Sequence, residues 1–255
     1  VYSFSGAEAE QLVSVNYTKF LTVDLDADSL TELFVIRPGQ TDTDQGIAEF
    51  YGVEQNVMDR SNEVNMSGPS ENLKRILVGS LHDGEPAVYV ASAVDDTTII
   101  TDVFACIDGR LSNVTLSNES GTSVQTLRNY YVYADDIDND GIVELPQLLT
   151  MAPVSDGNSA ERHDLIRWYA MCADGSEEDK LYTFHNFVGG WYMELDSDWA
   201  YRLSMSVQGS QHDFYLRDLR NETMFKIITV YTLTGQNRED RSTQDGRFVL
   251  HKSDS

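Results

Sequence analysis

The chain has 255 residues, enough for one or two domains with a sizeable hydrophobic core. Apolar residues make up 41% and charged residues 24% of it, as in ordinary globular proteins, so wholesale disorder is excluded. Because 42 acidic residues face only 18 basic ones, the net charge is −24, which argues against nucleic-acid binding and against attraction to anionic membranes.

The first apolar run, Val1–Phe4, leads into a turn at Gly6 and predicts a strand of a hairpin. It resembles a middle strand of a sheet rather than the first strand of one. Neither a Met nor an apolar leader precedes it, so we expect either a removed leader or a longer parent protein. No stretch approaches the roughly 18 continuous apolar residues of a membrane-spanning helix, so no span is predicted.

An internal repeat occupies most of the chain up to about residue 186. Residues 20–33 match residues 132–145 at an offset of 112, and a third copy at residues 76–90 lies halfway, at an offset of 56. A unit of this size cannot bury both faces of a sheet by itself. We therefore expect the copies to stack on one another.

A second pattern, an apolar run followed by Asp-Gly, alternates with the repeat. It occurs at residues 104–109 and 168–175, and in a weaker form at residues 50–53. Asp-Gly between apolar runs is a hairpin signal, so each unit is predicted to hold several short strands. The polar segments Gly39–Asn65 and Asn113–Val124 are predicted as loops or excursions between strands, and Pro153–His163 as a longer connection.

The two best-matching copies carry acidic residues at positions 1, 3, 5 and 9 of a nine-residue segment. These residues are Asp24, Asp26, Asp28 and Glu32 in the first copy and Asp136, Asp138, Asp140 and Glu144 in the second. Calcium takes six to eight oxygen ligands at about 2.3–2.6 Å, and acids at alternate positions of a tight loop can turn inward onto one ion. The carbonyl of position 7, Leu30 or Ile142, would add another ligand.

Position 6 of the segment is where such a curl needs a left-handed backbone. It is Gly141 in the second copy but Ser29 in the first, which predicts strain there. Position 12 is Val35 or Gln147 rather than Glu, so the loops are not EF-hands. The middle copy, residues 80–87, has Ser, His and Gly at positions 1, 3 and 5, and is predicted to keep the turn without a metal.

Two alternatives to calcium remain open for these loops. Asp and Asn cluster in turns because their side chains bond to their own backbone, with no metal involved. Magnesium is the weaker alternative among cations, because it dislikes large cages built entirely from protein oxygens.

The order of apolar strand, acidic segment and apolar strand resembles FG-GAP and VCBS repeats, the β-propeller repeats of integrin α-chains and of many bacterial surface proteins. The resemblance covers about residues 1–186 and is carried by the eight acidic residues of the two segments. It implies calcium in a hairpin loop between blade strands. Glu at position 9, where Asp is common, is a departure from the family pattern.

The overall layout also resembles uncharacterised surface lipoproteins of Firmicutes, which join such repeats to a small C-terminal domain through a segment like Glu194–Trp199. That resemblance implies an extracellular or cell-surface bacterial location, with a lipid anchor attached through a removed N-terminus. Read without it, Glu194–Asp198 is predicted to be a turn rather than a truncated metal loop, because position 9 counted from Glu194 is Arg202.

We therefore expect a mainly β protein. Residues 1–186 are predicted to form a partial or open β-propeller-like array of about three to four antiparallel sheets, and residues 187–255 a small C-terminal domain that is β-rich or α+β. Closed propellers usually need four to eight blades, so the array is expected to be an open arc covered by missing blades or by a partner. Strand-like runs in the C-terminal part are Arg202–Val207, Asp213–Leu216, Phe225–Thr232 and Phe248–Leu250, with a short helix predicted within Gln236–Gln244.

The chain lacks the motifs of serine hydrolases, zinc proteases, dinucleotide-binding proteins and P-loop proteins. We expect a non-enzymatic, calcium-stabilised extracellular binding or scaffold module, whose partner is an unidentified protein, a glycan or further blades of the same protein. The alternative is a polysaccharide-acting enzyme of propeller type, which would use carboxylates away from the repeat loops, at least one with a raised pKa.

Two smaller questions concern cysteine and tryptophan. Cys106 and Cys172 show no metal-binding spacing, and they could form one disulfide or remain free thiols. Trp168, Trp191 and Trp199 lie near strand-like runs, so packing is favoured over a sugar-stacking surface.

Overall fold

The computed structural model describes residues 1–5, 8–41, 43–54, 57–129, 132–154, 162–244 and 246–252. The protein is mainly β, with 50% strand and 6% helix. The described residues form five antiparallel sheets, none closed into a barrel. The prediction of a mainly β protein built as an open array of antiparallel sheets is therefore confirmed.

The chain divides into two compact units. One consists of residues 1–147 and 167–180, and the other of residues 148–166 and 181–255. The predicted domain boundary at residue 186 stays a prediction. No helix in the described part of the chain is both long and apolar enough to cross a membrane.

The first three sheets follow one another along the chain. The first is a hairpin of β1 (Tyr2–Ser5) and β2 (Glu8–Gln11). The second is an up-and-down sheet of β3 (Lys19–Val23), β4 (Glu32–Arg37), β5 (Ile47–Glu54) and β6 (Val57–Asn65). The third repeats this arrangement with β7 (Leu73–Ser80), β8 (Pro86–Ala93), β9 (Ile99–Ile107) and β10 (Arg110–Asn113), and short 3-10 turns occupy Ser70–Asn72 and Val124–Thr126.

The last two sheets complete the chain. The fourth contains β11 (Glu144–Thr150), β12 (Asp164–Met171), β13 (Glu177–Asn186) and β14 (Trp191–Leu195), in that order. The fifth contains β15 (Leu203–Gln208), β16 (Gln211–Arg217) and β17 (Met224–Tyr231). The helices are α1 (Ser197–Ala200) and α2 (Arg238–Ser242).

The sequence patterns explain most of these elements. β4 is an apolar run buried at five of its six positions, as expected for a strand inside a sheet. The turn between β9 and β10 places Asp108 and Gly109 at φ 51° and 73°, as the Asp-Gly signal predicts. Asp196 caps α1 by accepting a hydrogen bond from the Asp198 amide. The segment Glu194–Asp198, predicted to be a turn, is the end of β14 followed by the start of α1.

Two local predictions are wrong. Apart from the weak apolar run at residues 50–53, residues 39–65 were expected to be a loop or an excursion between strands, yet they contain β5 and β6. β6 is mostly polar and exposed because it is the outer strand of its sheet, and β5 carries a buried acid, Glu49, that only its partners make tolerable. Residues 248–250 do not form the predicted strand, whereas α2 lies within the helix predicted at residues 236–244.

The stacking of the repeat copies is visible in the core of the first unit. The second and third sheets share one apolar cluster, in which the rings of Phe34 and Phe104 lie 5.5 Å apart. The opposite face of the third sheet packs Tyr89 and Val103 against Val143 and Tyr169 in a second cluster. Because the third sheet is covered on both faces, its central strands β8 and β9 are almost completely buried.

The structure shows the state of the two cysteines and the packing of the three tryptophans. Cys106 is buried, Cys172 is half-buried, and both are free thiols. Trp168 is buried, whereas Trp191 and Trp199 pack against the apolar core of the second unit around Phe214. The packing interpretation of the three tryptophans is therefore confirmed.

Candidate metal centre

The two acidic segments form loops of equal length. Loop 1, Asp24–Glu32, connects β3 to β4 and is closed by the pair Val23 and Glu32. Loop 2, Asp136–Glu144, leads into β11 and is closed by a bridge between Asp135 and Glu144. Loop 1 therefore leaves and re-enters the second sheet at neighbouring points, whereas residues 132–134, predicted as a strand before loop 2, form none and only the bridge at Asp135 brings position 9 back beside position 1.

The same hydrogen bonds hold both loops. The carboxylate of position 1 accepts from the amide of position 6, that of position 5 from the amide of position 7, and that of position 9 from the amide of position 2. The bonds to positions 1 and 9 have N···O distances of 3.0 Å in both loops. The bond to position 5 has an N···O distance of 2.7 Å in loop 1 and 2.8 Å in loop 2. The repeated acids thus produce two copies of one loop conformation.

The backbone turns at the same positions in both loops. Positions 4 and 6 have positive φ, 60° and 69° at Ala27 and Ser29, and 62° and 89° at Asn139 and Gly141. Only Gly adopts this region without steric cost. Ser29, where the sequence predicts strain, therefore has the left-handed backbone on which that prediction depends.

Ser29→Gly is expected to stabilise the protein by about 0.5–1 kcal/mol. A left-handed residue with a Cβ costs roughly 1–2 kcal/mol, and the extra entropy that Gly loses on folding offsets about half of that gain. The matched change Gly141→Ser should destabilise by a similar amount. Urea unfolding in EDTA measures both effects, and a stabilising Gly141→Ser would contradict the shared conformation.

Three of the four predicted acids converge in each loop. Carboxylate oxygens of Asp24, Asp26 and Glu32 all lie within 4.8 Å of one another, and the corresponding trio in loop 2 is Asp136, Asp138 and Glu144. Two ligands on opposite sides of a calcium ion are about 4.8 Å apart, so each trio can reach one ion.

The remaining predicted ligands have other places in the loops. The position 5 acids, Asp28 and Asp140, lie outside the trios and hold the amides of Leu30 and Ile142. Whether the carbonyls of Leu30 and Ile142 bind metal stays a prediction.

Burial makes these carboxylates costly without a cation. Glu144 is completely buried, and its Oε1 has no hydrogen-bond donor. In loop 1, Asp24 is only half-buried, but its Oδ1 atom is buried and also lacks a donor. Burial raises the pKa of Glu144 to about 7, and the charges of Asp138 and Asp140 add to this effect. Burial also raises the pKa of Glu32. A buried carboxylate oxygen without a donor is what a hard cation would satisfy, so the residues present fit such an ion.

Loop 2 has a cationic neighbour that sequence reasoning missed. Lys180, on β13, places its Nζ 3.3 Å from Asp140 Oδ2. The hydrogen bond from the Ile142 amide lowers the pKa of Asp140 below its usual value, and the hydrogen bond and charge of Lys180 lower it further. Lys180 is 40 residues away in sequence, so no local pattern could have shown the contact.

The middle copy also forms a turn, between β7 and β8, but different hydrogen bonds hold it. The Asp83 carboxylate accepts from the Ala173 amide at 3.0 Å, and the His82 amide donates to the Met171 carbonyl at 2.8 Å. Gly84 has φ 90°. Contacts to the end of β12 therefore hold this turn.

Comparison with protein-family models finds no match for the chain, and comparison with curated proteins finds none either. The resemblance to FG-GAP and VCBS repeats therefore rests on the residues of the repeat itself. Those residues adopt two matching loops, and this geometry is the basis for a functional proposal.

Proposed function

We propose that the chain is a non-enzymatic, calcium-stabilised extracellular binding or scaffold module in which loops 1 and 2 each bind one Ca²⁺. One observation carries the proposal: two copies of the same loop each bring three carboxylates together and leave a buried oxygen without a donor. A pair of ordinary turns would have no reason to bury the Oε1 atom of Glu144 without a donor.

The role of the ion would be structural. Loop 1 joins two strands of the second sheet, and loop 2 leads into β11, so a bound ion would lock the connections of stacked repeat copies. Binding to the native state alone contributes about 2.7 kcal/mol per site at a hundredfold excess over Kd. Calcium suits these loops better than magnesium, because it accepts flexible cages of protein oxygens.

The proposed environment rests on the calcium chemistry and on the resemblance to bacterial surface repeat proteins. Extracellular calcium would fill sites with a Kd of about 10⁻⁴ M, and a net charge of −24 would be partly neutralised by two such ions. We place the module at a bacterial cell surface, attached through a lipid anchor, as part of a propeller-like array. Its partner would be a protein, a glycan or further blades of the same protein.

The carboxylates give no support to the enzyme alternative. That reading requires an acid with a raised pKa away from the repeat loops. Among the described residues, the carboxylates with a raised pKa are Glu32 and Glu144, and both belong to the loops.

Isothermal titration of the calcium-free protein with calcium tests the proposal. The wild type is expected to bind two ions, and Asp26→Asn and Asp138→Asn one ion each, since each change removes a charged ligand while keeping the side-chain shape. Asp83→Asn in the middle turn is the matched control and should leave two sites. The absence of binding at millimolar calcium, or two sites in every variant, would refute the proposal.

Lys180→Met is expected to raise the calcium affinity of loop 2 about threefold. The ammonium group lies beside loop 2 and repels a cation bound there, and a partly exposed charge interaction of this kind is worth at most about 1 kcal/mol. The measurement is a calcium titration in the Asp26→Asn background, where loop 2 alone should bind. Lys74→Met, an exposed lysine on β7, is the control for a general change in charge. A decrease in affinity would show that Lys180 supports the site.

A further inference from the structure

The hairpin of β13 and β14 carries three stacked rings outside the acidic loops. His185 on β13 and Tyr192 on β14 are cross-strand partners, and their ring centres lie 5.4 Å apart at an interplanar angle of 17°. Phe187, in the turn between the strands, stacks on the same imidazole at 5.6 Å and 24°. We call Phe187, His185 and Tyr192 the ring stack.

The turn that joins the two strands is held by its own hydrogen bonds. The side-chain oxygen of Asn186 accepts from the Gly189 amide at 2.7 Å, and its backbone carbonyl accepts from the Gly190 amide at 2.8 Å. His185 Nε2 lies 2.9 Å from Thr183 Oγ1, which orients the imidazole. The rings are therefore positioned before a partner binds, and this lowers the entropy that binding would cost.

The ring stack stays exposed to solvent. Phe187 is 64% exposed and Tyr192 60%, and Val188 at the tip of the hairpin is fully exposed. Rings of this size stabilise a protein when they are buried, and a cluster of exposed apolar groups is typical of an interaction surface. A partner is therefore expected to bring a group that packs on aromatic rings.

The charges around the ring stack are negative. Glu194 is exposed on the same face of β14 as Tyr192, two residues further along the strand. Asp196 and Asp198 follow it and are also exposed, whereas residues 181–201 contain no Lys or Arg. None of the ion pairs in the described part of the chain involves Glu194. A cation would therefore meet both rings and a carboxylate here.

The imidazole within the ring stack does not oppose a cation. Burial lowers the pKa of His185 below its usual value, so the ring is neutral at pH 7.5. The whole chain carries a net charge of −24, which attracts basic partners and repels acidic ones.

We propose that the ring stack and Glu194 together bind an arginine-bearing segment of a partner protein. A guanidinium stacks on aromatic rings by a cation–π interaction, and its N–H groups can pair with a carboxylate at the same time. A neutral glycan would use the rings but not the charge, and a second copy of this acidic chain would be repelled. The inference names the partner of the binding module proposed above and so rests on that proposal, although it uses no residue of loops 1 and 2.

Isothermal titration with a synthetic octapeptide of alternating glycine and arginine tests the proposal, at pH 7.5, physiological ionic strength and saturating calcium. Phe187→Ser and Tyr192→Ser are each expected to weaken peptide binding about fivefold, as for the loss of one cation–π contact. Glu194→Gln should weaken it about threefold, as for one exposed ion pair.

Two matched controls separate this surface from general attraction to an acidic protein. Phe225→Ser changes a comparably exposed ring on β17, and Glu222→Gln removes a charge from an exposed glutamate elsewhere. Both variants should bind the peptide like the wild type. Equal affinities in the wild type and the ring variants would overturn the proposal, because the net charge alone would then account for binding.

Two further results would also overturn the proposal. One is the absence of peptide binding to the wild type, and the other is binding of a neutral hexasaccharide that Tyr192→Ser abolishes while peptide binding is unchanged. A calcium titration of the same samples separates the two proposals. A protein that binds two calcium ions but not the peptide contradicts only the arginine surface, whereas a loss of calcium binding contradicts the calcium-stabilised module.

Discussion

Glu144→Gln is expected to stabilise the calcium-free protein at pH 8 by up to about 3 kcal/mol. Burial raises the pKa of this carboxyl from its usual 4.5 to about 7, so the folded state disfavours the charged form. The folded state then binds the extra proton between pH 4.5 and 7, and calcium-free stability falls as the pH rises through that range. Gln removes the charge, so its advantage should vanish near pH 4, where the carboxyl is protonated in both states.

The same substitution is expected to have the opposite sign in calcium. Glu144 supplies one of the three converging carboxylates of loop 2, and the neutral amide is a weaker ligand. Urea unfolding at pH 8, in EDTA and in millimolar calcium, measures both effects. Glu85→Gln, an exposed glutamate in the middle turn, is the control and should change neither value appreciably. If Glu144→Gln had the same sign in both conditions, the buried carboxylate would have no role in binding a cation.

Gly79→Ala is expected to destabilise the protein by about 1–3 kcal/mol and to lower the calcium affinity of loop 2. A Cβ on Gly79 would clash with Cγ2 of Val143, a stiff, buried side chain. Val143 precedes Glu144, and its amide donates to the Ser80 carbonyl at 3.1 Å. A shift that relieves the clash would therefore displace a residue next to a loop 2 carboxylate.

A second substitution separates the clash from other effects of Gly79→Ala. Val143→Ala removes the methyl group that the new Cβ would meet, so the double variant should lose less stability than the two single changes added together. Gly52→Ala in β5 is the matched control, because a Cβ there meets no atom within 4 Å. Urea unfolding and calcium titration provide the two readouts. Additive losses in the double variant would show that the contact does not determine the position of loop 2.

The sequence by itself determined the elements whose interactions are local. In loop 2, Asp136 and Asp140 bond to amides no more than five residues away, so spacing alone predicts the curl and the left-handed residue at position 6. The apolar runs and Asp-Gly turns likewise predicted most strands, because they reflect residue-level preferences of the backbone. The short helix near residue 240 was predicted in the polar segment between two such runs.

Tertiary structure alone decided the features that depend on distant partners. The full length of β5 was missed because Glu49 is acceptable in the core only with Arg37 and Arg60 beside it, at 2.8 and 2.9 Å. β6 was missed because it is a polar outer strand. The contact between Lys180 and Asp140 likewise joins two segments that are far apart in the sequence. The complete burial of Glu144 also depends on tertiary structure, because desolvation is a property of the packed chain and has no signature in local spacing.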